Sequence, residues 1–455
     1  MTNGTQMIVA LIIGIVLLIL LILKTKVHAF LGLIVAAVVI GLLGGMDPTA
    51  IPTSIINGFG GTLGSIGIII GFGVMMGQIF DRTGAAERMA LTFIKLFGKK
   101  REHWAMALTG FIVSIPIFCD SGFVVVSPIA KAISKKTRRS IVSIAGPLAA
   151  GLVITHSLVP PTPGPLGVAG TFGVDVGTFI LWGIVIALPM TIAATMYTQY
   201  LGKKLYQLPA DNEEGWVRPE KIEEICDADV LVPSRELPSA FESFLPLLAP
   251  IVLILLKNIF DAVGVTGGAK VLVSFLGTPI IAVAIGLLLA IFVLGRKMDR
   301  QTVLNEMDAG IKSAGLIMLV TGGGGALGQI LKDSGTGNYV AELLSQTAIP
   351  IVVLPFIIAT IVRFIQGSGT VAMVTAAGIC APILQAAGAN MMLGAFAACI
   401  GSLFFSYFND SYFWVVNNLM GFKDTKDQIR NWSVTSTVAW AVGFVELLIL
   451  SLFLK

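Results

Sequence analysis

Apolar residues in this chain run in blocks of about 20, the length an α-helix needs to cross the hydrocarbon core of a bilayer. Full-length blocks lie near 7–23, 28–45, 57–79, 141–158, 176–199, 241–258, 271–294, 311–331, 391–408 and 434–453. Basic residues cluster in the loops between them. The clusters are Lys24/Lys26, Lys95/Lys99/Lys100/Arg101, Lys131/Lys135/Lys136/Arg138/Arg139, Lys203/Lys204, Arg296/Lys297/Arg300 and Lys423/Lys426/Arg430. Cytoplasmic loops carry the excess of Lys and Arg, which assigns all six clusters to that side and both chain ends to the other.

The loops at 95–101 and 131–139 therefore share one side, although apolar sequence, 104–130, separates them. A single helix cannot join two points on one face. A re-entrant hairpin can, with its tip at Phe118-Cys119-Asp120-Ser121-Gly122. Each arm is too short to span, and Pro116 and Gly122 weaken helix near the tip. The rival reading is one long crossing that breaks the charge rule. The main polar stretch, 203–240, carries Asp211, Glu213, Glu214, Glu220, Glu223, Glu224, Asp227 and Asp229 and too few apolar residues for a core of its own. It reads as a cytoplasmic connector between residues 1–202 and 241–455.

Two segments on either side of that connector resemble each other. Gly71–Gly84 reads GFGVMMGQIFDRTG, and Gly322–Gly335 reads GGGGALGQILKDSG. Gly77-Gln78-Ile79 and Gly328-Gln329-Ile330 align at an offset of 251, and Asp120-Ser121-Gly122-Phe123 falls opposite Gly367-Ser368-Gly369-Thr370 at 247. By the charge rule, 57–79 runs from outside to inside and 311–331 from inside to outside. The two halves are then inverted, and a second hairpin near 347–386, tipped at Gln366-Gly367-Ser368-Gly369, enters from outside. Hairpins inserted from opposite faces meet near the midplane, where secondary transporters hold their substrates.

Composition agrees with that class. Of the 455 residues 55% are hydrophobic and only 12% charged, against roughly a quarter charged in soluble domains. The 51 glycines suit close helix packing in lipid. A formal charge of +4 spread over short loops argues against nucleic-acid binding. Cys119, Cys226, Cys380 and Cys399 show no metal-ligand spacing and read as free thiols, and no metal or cofactor is implied. The block Met7–Leu23 lacks a preceding basic region and a cleavage site, so a retained helix is expected there.

Ionisable residues inside a membrane are expensive and tend to be functional. Four fall in apolar surroundings: Asp120, His156, Arg363 and Asp410. Each lies at a hairpin or in the break that follows one. The first break is Thr155-His156-Ser157, then Pro160, Pro161, Thr162, Pro163 and Pro165; the second is Asn409-Asp410-Ser411. Irregular backbone at membrane depth is tolerated where it is buried in protein or lines a wet cavity. Arg363 offers a planar fork for a carboxylate, with Ser368 and Thr370 near it. Ser121, Thr155, Thr162 and Asn409 offer hydrogen bonds to hydroxyls. Asp120, His156 and Asp410 can exchange protons. Against these stand structural readings: an Arg363 ion pair with Asp410 or Asp120, a hydrogen-bonded structural His156, and Asp410 as a helix cap.

The ordered motifs GQIFDRTGAAERMA, LTGFIVSIPIFCDSGFVVVSP, HSLVPPTPGP, GQILKDSG, RFIQGSGTVAMVTAAG and NDSYFWVV resemble the gluconate permease family of proton symporters, over about residues 5 to 455. The resemblance implies membership of the ion transporter superfamily, with inverted repeats, paired re-entrant hairpins and an elevator-type movement. It implies substrates such as gluconate and related sugar acids, or D-serine in one branch. Two positions depart from the family pattern. Cys119-Asp120-Ser121 stands where the family often has Phe-Glu-Val, and Thr162 where it tends to have histidine.

The expectation is an all-α polytopic membrane protein with about 10 full spans and 2 hairpins. It would act as a proton-coupled symporter of a hydroxy-acid or sugar-acid monocarboxylate in a bacterial inner membrane. A sodium-coupled carrier of another organic anion or a D-serine-like amino acid is the alternative, followed by a channel. No Ser/His/Asp motif or metal cluster supports an enzyme, and a homodimer is expected only by analogy with other elevator carriers.

Overall fold

The apolar blocks fold into helices, and their polar interruptions decide where each helix bends, breaks or turns. The computed structural model describes residues 4–98, 100–210, 215–219, 236–263, 266–345, 350–407 and 409–453. The first half begins with α1 (Gly4–Lys24), α2 (Ala29–Leu43) and α3 (Ile51–Thr83). A 45° bend divides α3 into Ile51–Gly64 and Gly67–Thr83, within a glycine-rich stretch that bends easily. Next come the amphipathic α4 (Ala85–Phe97), the helix–turn–helix pair α5 (Glu102–Val113) and α6 (Cys119–Thr137), and α7 (Ile141–Leu158). Prolines at 160 and 161 end that run, and the chain resumes as α8 (Pro163–Phe172) and α9 (Val176–Lys204).

The second half contains α10 (Ala240–Val263), α11 (Gly268–Leu276), α12 (Pro279–Leu289) and the long α13 (Arg300–Asp333). The amphipathic α14 (Thr336–Ser345) precedes a second helix–turn–helix pair, α15 (Leu354–Gln366) and α16 (Gly369–Ala386). Then come α17 (Met391–Gly401), α18 (Ser411–Leu419), the short α19 (Thr425–Gln428) and α20 (Val434–Phe453). Side-chain caps mark several helix starts: Ser140 on α7, Asp175 on α9, Asp299 on α13, Asn390 on α17 and Asp410 on α18. Each accepts a bond from a first-turn N–H that the helix itself cannot satisfy.

Among the described residues, six helices are long and apolar enough to cross a membrane, or seven with the two parts of α3 taken as one span. Ten full spans were expected, and three of the expected segments differ in detail. The segment 271–294 is two helices, because Gly277-Thr278-Pro279 interrupts it between α11 and α12. The segment 391–408 is helical only to Gly401, where the chain turns through 402–405. The segment 311–331 is the C-terminal part of α13, whose glycines and polar residues dilute its hydropathy. Shorter apolar helices at 4–18, 29–43, 351–364 and 391–401 account for other apolar blocks.

The acidic residues of the expected connector, Cys226, Phe408 and the first residues of the expected second hairpin (347–349) lie outside the described residues. The described start of the connector is anchored. Strands β1 (Leu208–Pro209) and β2 (Trp216–Val217) pair antiparallel. Gln207 donates to the Met420 carbonyl at 2.7 Å and Arg218 pairs with Asp427 at 2.7 Å, which ties the end of α9 to the α18–α19 turn.

Packing centres on α7 and on the α3–α13 crossing. Almost every residue of α7 is buried, as expected of a helix apolar all round. It meets α5 at small residues: a Cβ on Gly151 would stand 2.5 Å from the Ala107 carbonyl oxygen. Two glycine pairs, one on α3 and one on α13, work the same way. A Cβ on Gly77 would stand 2.5 Å from the Pro116 oxygen and one on Gly73 3.1 Å from the Pro161 oxygen. A Cβ on Gly328 would stand 3.0 Å from the Gly378 oxygen and one on Gly324 3.1 Å from the Val374 oxygen. Gly73 and Gly324, like Gly77 and Gly328, are 251 positions apart. The repeated glycines are thus where α3 and α13 let other backbone come close.

Candidate functional site

The turns of both helix–turn–helix pairs and the break before α18 open onto one cavity of about 380 Å³. Three helices begin at its wall. Phe118, Cys119 and Asp120 bring the start of α6; Gly367 to Val371 bring the start of α16; Asn409 to Tyr412 bring the start of α18. Val153, His156 and Ser157 of α7 and Trp432 and Ser436 from the last helical run complete much of the rest. The first turns of three helices, with the positive ends of their dipoles, therefore converge on a single space, the environment that attracts an anion.

Local chemistry builds each start. Gly367 adopts φ +90°, a left-handed conformation that ends α15. Its position also leaves no room for a side chain, since Asn409 packs directly against it. Ser368 accepts a bond from the Val371 N–H at 3.3 Å and so caps α16. Asp410 does the same for α18 through Tyr412 N at 3.2 Å. Phe405, beside the break, holds φ 33°, which is costly for a bulky residue.

A buried polar chain links these pieces. Arg363 Nη2 lies 2.5 Å from Asp410 Oδ2, and Arg363 Nη1 donates to the Gly367 carbonyl. Ser406 donates to the same Asp410 oxygen and accepts from Trp432 Nε1 at 2.8 Å. Arg363 and Asp410 are 5% and 8% exposed, so both charges depend on each other and on these bonds. Asp120 accepts from Ser411, the residue after Asp410, at 3.3 Å, with Cys119 Sγ 3.6 Å from its other oxygen. His156 leans on Phe118 with ring centroids 5.5 Å apart, and its Nδ1 has no partner among the described residues.

Of the ten residues singled out in the sequence, seven line the cavity: Asp120, His156, Arg363, Ser368, Thr370, Asn409 and Asp410. Ser121, Thr155 and Thr162 do not. Ser121 lies on α6 one position beyond Asp120 and is not among the wall residues. Thr155 is fully buried, its hydroxyl has no partner among the described residues, and it does not line the cavity. Thr162 donates to the carbonyls of His156 and Val159, each at 2.9 Å, and so holds the α7–α8 break in shape. The structural readings of Arg363 and Asp410 both hold, as an ion pair and as a helix cap.

Sequence reasoning missed Ser157, Ser402, Ser406, Ser411, Tyr412, Trp432 and Ser436 as wall residues. Ser402, Ser406 and Asp410 are spaced by four, as are Trp432 and Ser436. Polar residues recurring at intervals of four within apolar sequence were the available signal, although the described residues of 402–410 are not helical.

A buried polar cavity at the starts of broken helices, inside an apolar helical body, defines a multi-pass membrane permease. Residues 6–453 match the family described as GntP family permease, and the chain belongs to that family. It is 48% identical to a permease of Haemophilus influenzae, over 98% of this chain and 92% of the relative. It is 34% identical to a gluconate permease of Pseudomonas aeruginosa, over 100% and 99%. Among solved structures, the YdaH transporter of Alcanivorax borkumensis has the same fold, with a TM-score of 0.67 at 15% identity over 93% of this chain and 98% of the other. The protein is a permease and not an enzyme.

Proposed function

We propose that the protein takes up a sugar-acid or hydroxy-acid monocarboxylate, such as gluconate, together with protons across a bacterial inner membrane. The observation that carries this reading is the convergence of three helix N-termini on one buried cavity. The gluconate permease among its relatives supports the substrate class.

The substrate carboxylate would sit at the start of α16, by Ser368 and Thr370 and next to Arg363. A Cβ on Gly369 would be 3.8 Å from both Arg363 Nη1 and Ser402 Oγ, so cation, hydroxyl and tip backbone share that corner. Asn409 and Ser411 face the same space and would bond substrate hydroxyls. Charge counting supports coupling. Arg363 is already balanced by Asp410, which leaves Asp120 as an additional carboxylate in the wall. An entering anion would meet a like charge in a site sheltered from water, which is unfavourable. A proton on Asp120 or Asp410 removes that repulsion, and His156 is a further proton acceptor at the wall. Sodium is the alternative coupling ion.

Under this reading residues 1–202 and 241–455 are inverted repeats joined by a cytoplasmic connector, 203–240. The pair α5–α6 would enter from the cytoplasm and α15–α16 from outside. The α3–α13 crossing would form the frame past which the site-bearing helices move in an elevator-type cycle, in a homodimer. Uptake of labelled D-gluconate into energised vesicles, with a proton gradient imposed and then collapsed, tests the proposal. Unlabelled glycerate and D-serine would compete in parallel. Gradient-dependent uptake blocked by hydroxy acids is expected; sodium-dependent uptake would overturn the proton assignment, and absence of any uptake the substrate class.

A further inference from the structure

A second polar cavity of about 340 Å³ lies between α3, α8, α13 and α16. It occupies the end of the molecule where α8, α13 and α16 finish, opposite the basic loops at 131–139 and 296–300. In the proposed orientation that is the outer face. Gly58, Gly61, Gly325 and Gly328 lie along its wall, where α3 and α13 pack closely, and its polar side chains include Asn57, Thr62, Gln329, Lys332 and Gln385. Among the described residues, Lys332 is the one cation lining it and no Asp or Glu lines it. The neighbouring carboxylate, Asp333, accepts from Ser54 at 2.6 Å and from Gln329 Nε2 of the wall at 2.9 Å.

The two cavities share helices. On α16, Val371 lines the central one and Ala381, Pro382 and Gln385 the outer one. Ten helical residues correspond to about 15 Å. On α13, Val320 lines the central cavity and Gly325 the outer. Thr321 lies between them, fully buried, with a hydroxyl that has no partner among the described residues. The close approaches of Gly324 to Val374 and of Gly167 to Thr321 separate the two spaces.

We propose that the outer cavity is a second, weaker binding site for the transported hydroxy-carboxylate, occupied before the central site. This rests on the transport reading above. Lys332 would take the carboxylate, and Asn57, Thr62 and Gln385 would take hydroxyls. Among the described lining residues Lys332 is the charge an anion would meet.

Equilibrium binding of labelled D-gluconate to the purified protein tests this, with Lys332→Gln, Lys332→Arg and the charge-balanced double variant Arg363→Gln/Asp410→Asn. The intact protein should bind in two classes. Lys332→Gln should lose the weak class, keep the tight one and raise the half-saturating uptake concentration by roughly threefold to tenfold, the worth of one part-exposed charged contact. Lys332→Arg should restore it, and the double variant should keep only the weak class. A Lys332 that serves merely as a cation at the end of α13 would alter stability and leave both binding classes intact. That result, or a single class abolished in the double variant, overturns the outer site while the central one stands. No binding by the intact protein at any concentration overturns the substrate reading and this proposal with it.

Discussion

Arg363 and Asp410 form a buried pair, 2.5 Å apart, that ties the tip of the α15–α16 turn to the first turn of α18. The pair is reinforced on both sides, by the Gly367 carbonyl on the guanidinium and by Ser406 and the Tyr412 N–H on the carboxylate. It fixes the relative position of two of the three helix starts at the cavity.

Removing one member leaves the other charge buried and alone, a loss of about 3–5 kcal/mol. Arg363→Gln and Asp410→Asn should therefore each lower thermal stability in detergent and stop uptake. The double variant should recover most of the stability, because no charge is stranded, but not the uptake. Full uptake by Arg363→Gln would refute the role given to this residue.

Asp120 is the carboxylate that Arg363 does not neutralise, and its hydrogen bond from Ser411 is long at 3.3 Å. Replacement by Asn keeps the shape and removes the exchangeable charge. Asp120→Asn should lose accumulation driven by a proton gradient while retaining gluconate counterflow, and its residual exchange should vary little with pH. Accumulation equal to that of the intact protein would assign the coupling proton to Asp410 or His156 instead.

Thr162 closes the α7–α8 break with one hydroxyl hydrogen within reach of two carbonyls, and it is almost fully buried. Thr162→Val keeps the volume and removes the donor. It should lower stability by about 1–3 kcal/mol, since two buried carbonyls lose that partner. Thr162→Ser should restore most of it. The half-saturating substrate concentration should change little in both, because the hydroxyl does not face the cavity.

Much of this arrangement was legible in the sequence because membranes penalise polar groups so heavily. Asp120, His156, Arg363 and Asp410 stood out as ionisable residues in apolar runs, and all four reach the cavity wall. The Gly367-Ser368 turn was legible from its residue types. Direction was not. Thr155 and His156 are adjacent, yet His156 lines the cavity and Thr155 does not, and only packing decides which. Helix ends within two of the expected spans were not legible for a related reason: Gly277-Thr278-Pro279 and the turn after Gly401 are small interruptions that a hydropathy average passes over.

The repeated Gly-Gln-Ile motif gives the last prediction, because its glycines have different neighbours from other glycines in the same helix. A methyl on Gly77 would meet the Pro116 carbonyl at 2.5 Å and one on Gly328 the Gly378 carbonyl at 3.0 Å, whereas one on Gly71 would meet nothing within 4 Å. Backbone cannot rotate aside as a side chain can, so Gly77→Ala must push the α5–α6 turn away from α3. A strain of about 1–3 kcal/mol is expected, the range for overpacking a tight contact. Gly328→Ala, with 0.5 Å more room, should cost less, and Gly71→Ala should be neutral or stabilising because alanine favours helix. Thermal unfolding of the three variants in detergent would rank them. If Gly71→Ala is as damaging as Gly77→Ala, chain flexibility and not close backbone approach explains the glycines, and the packing account of the repeat fails.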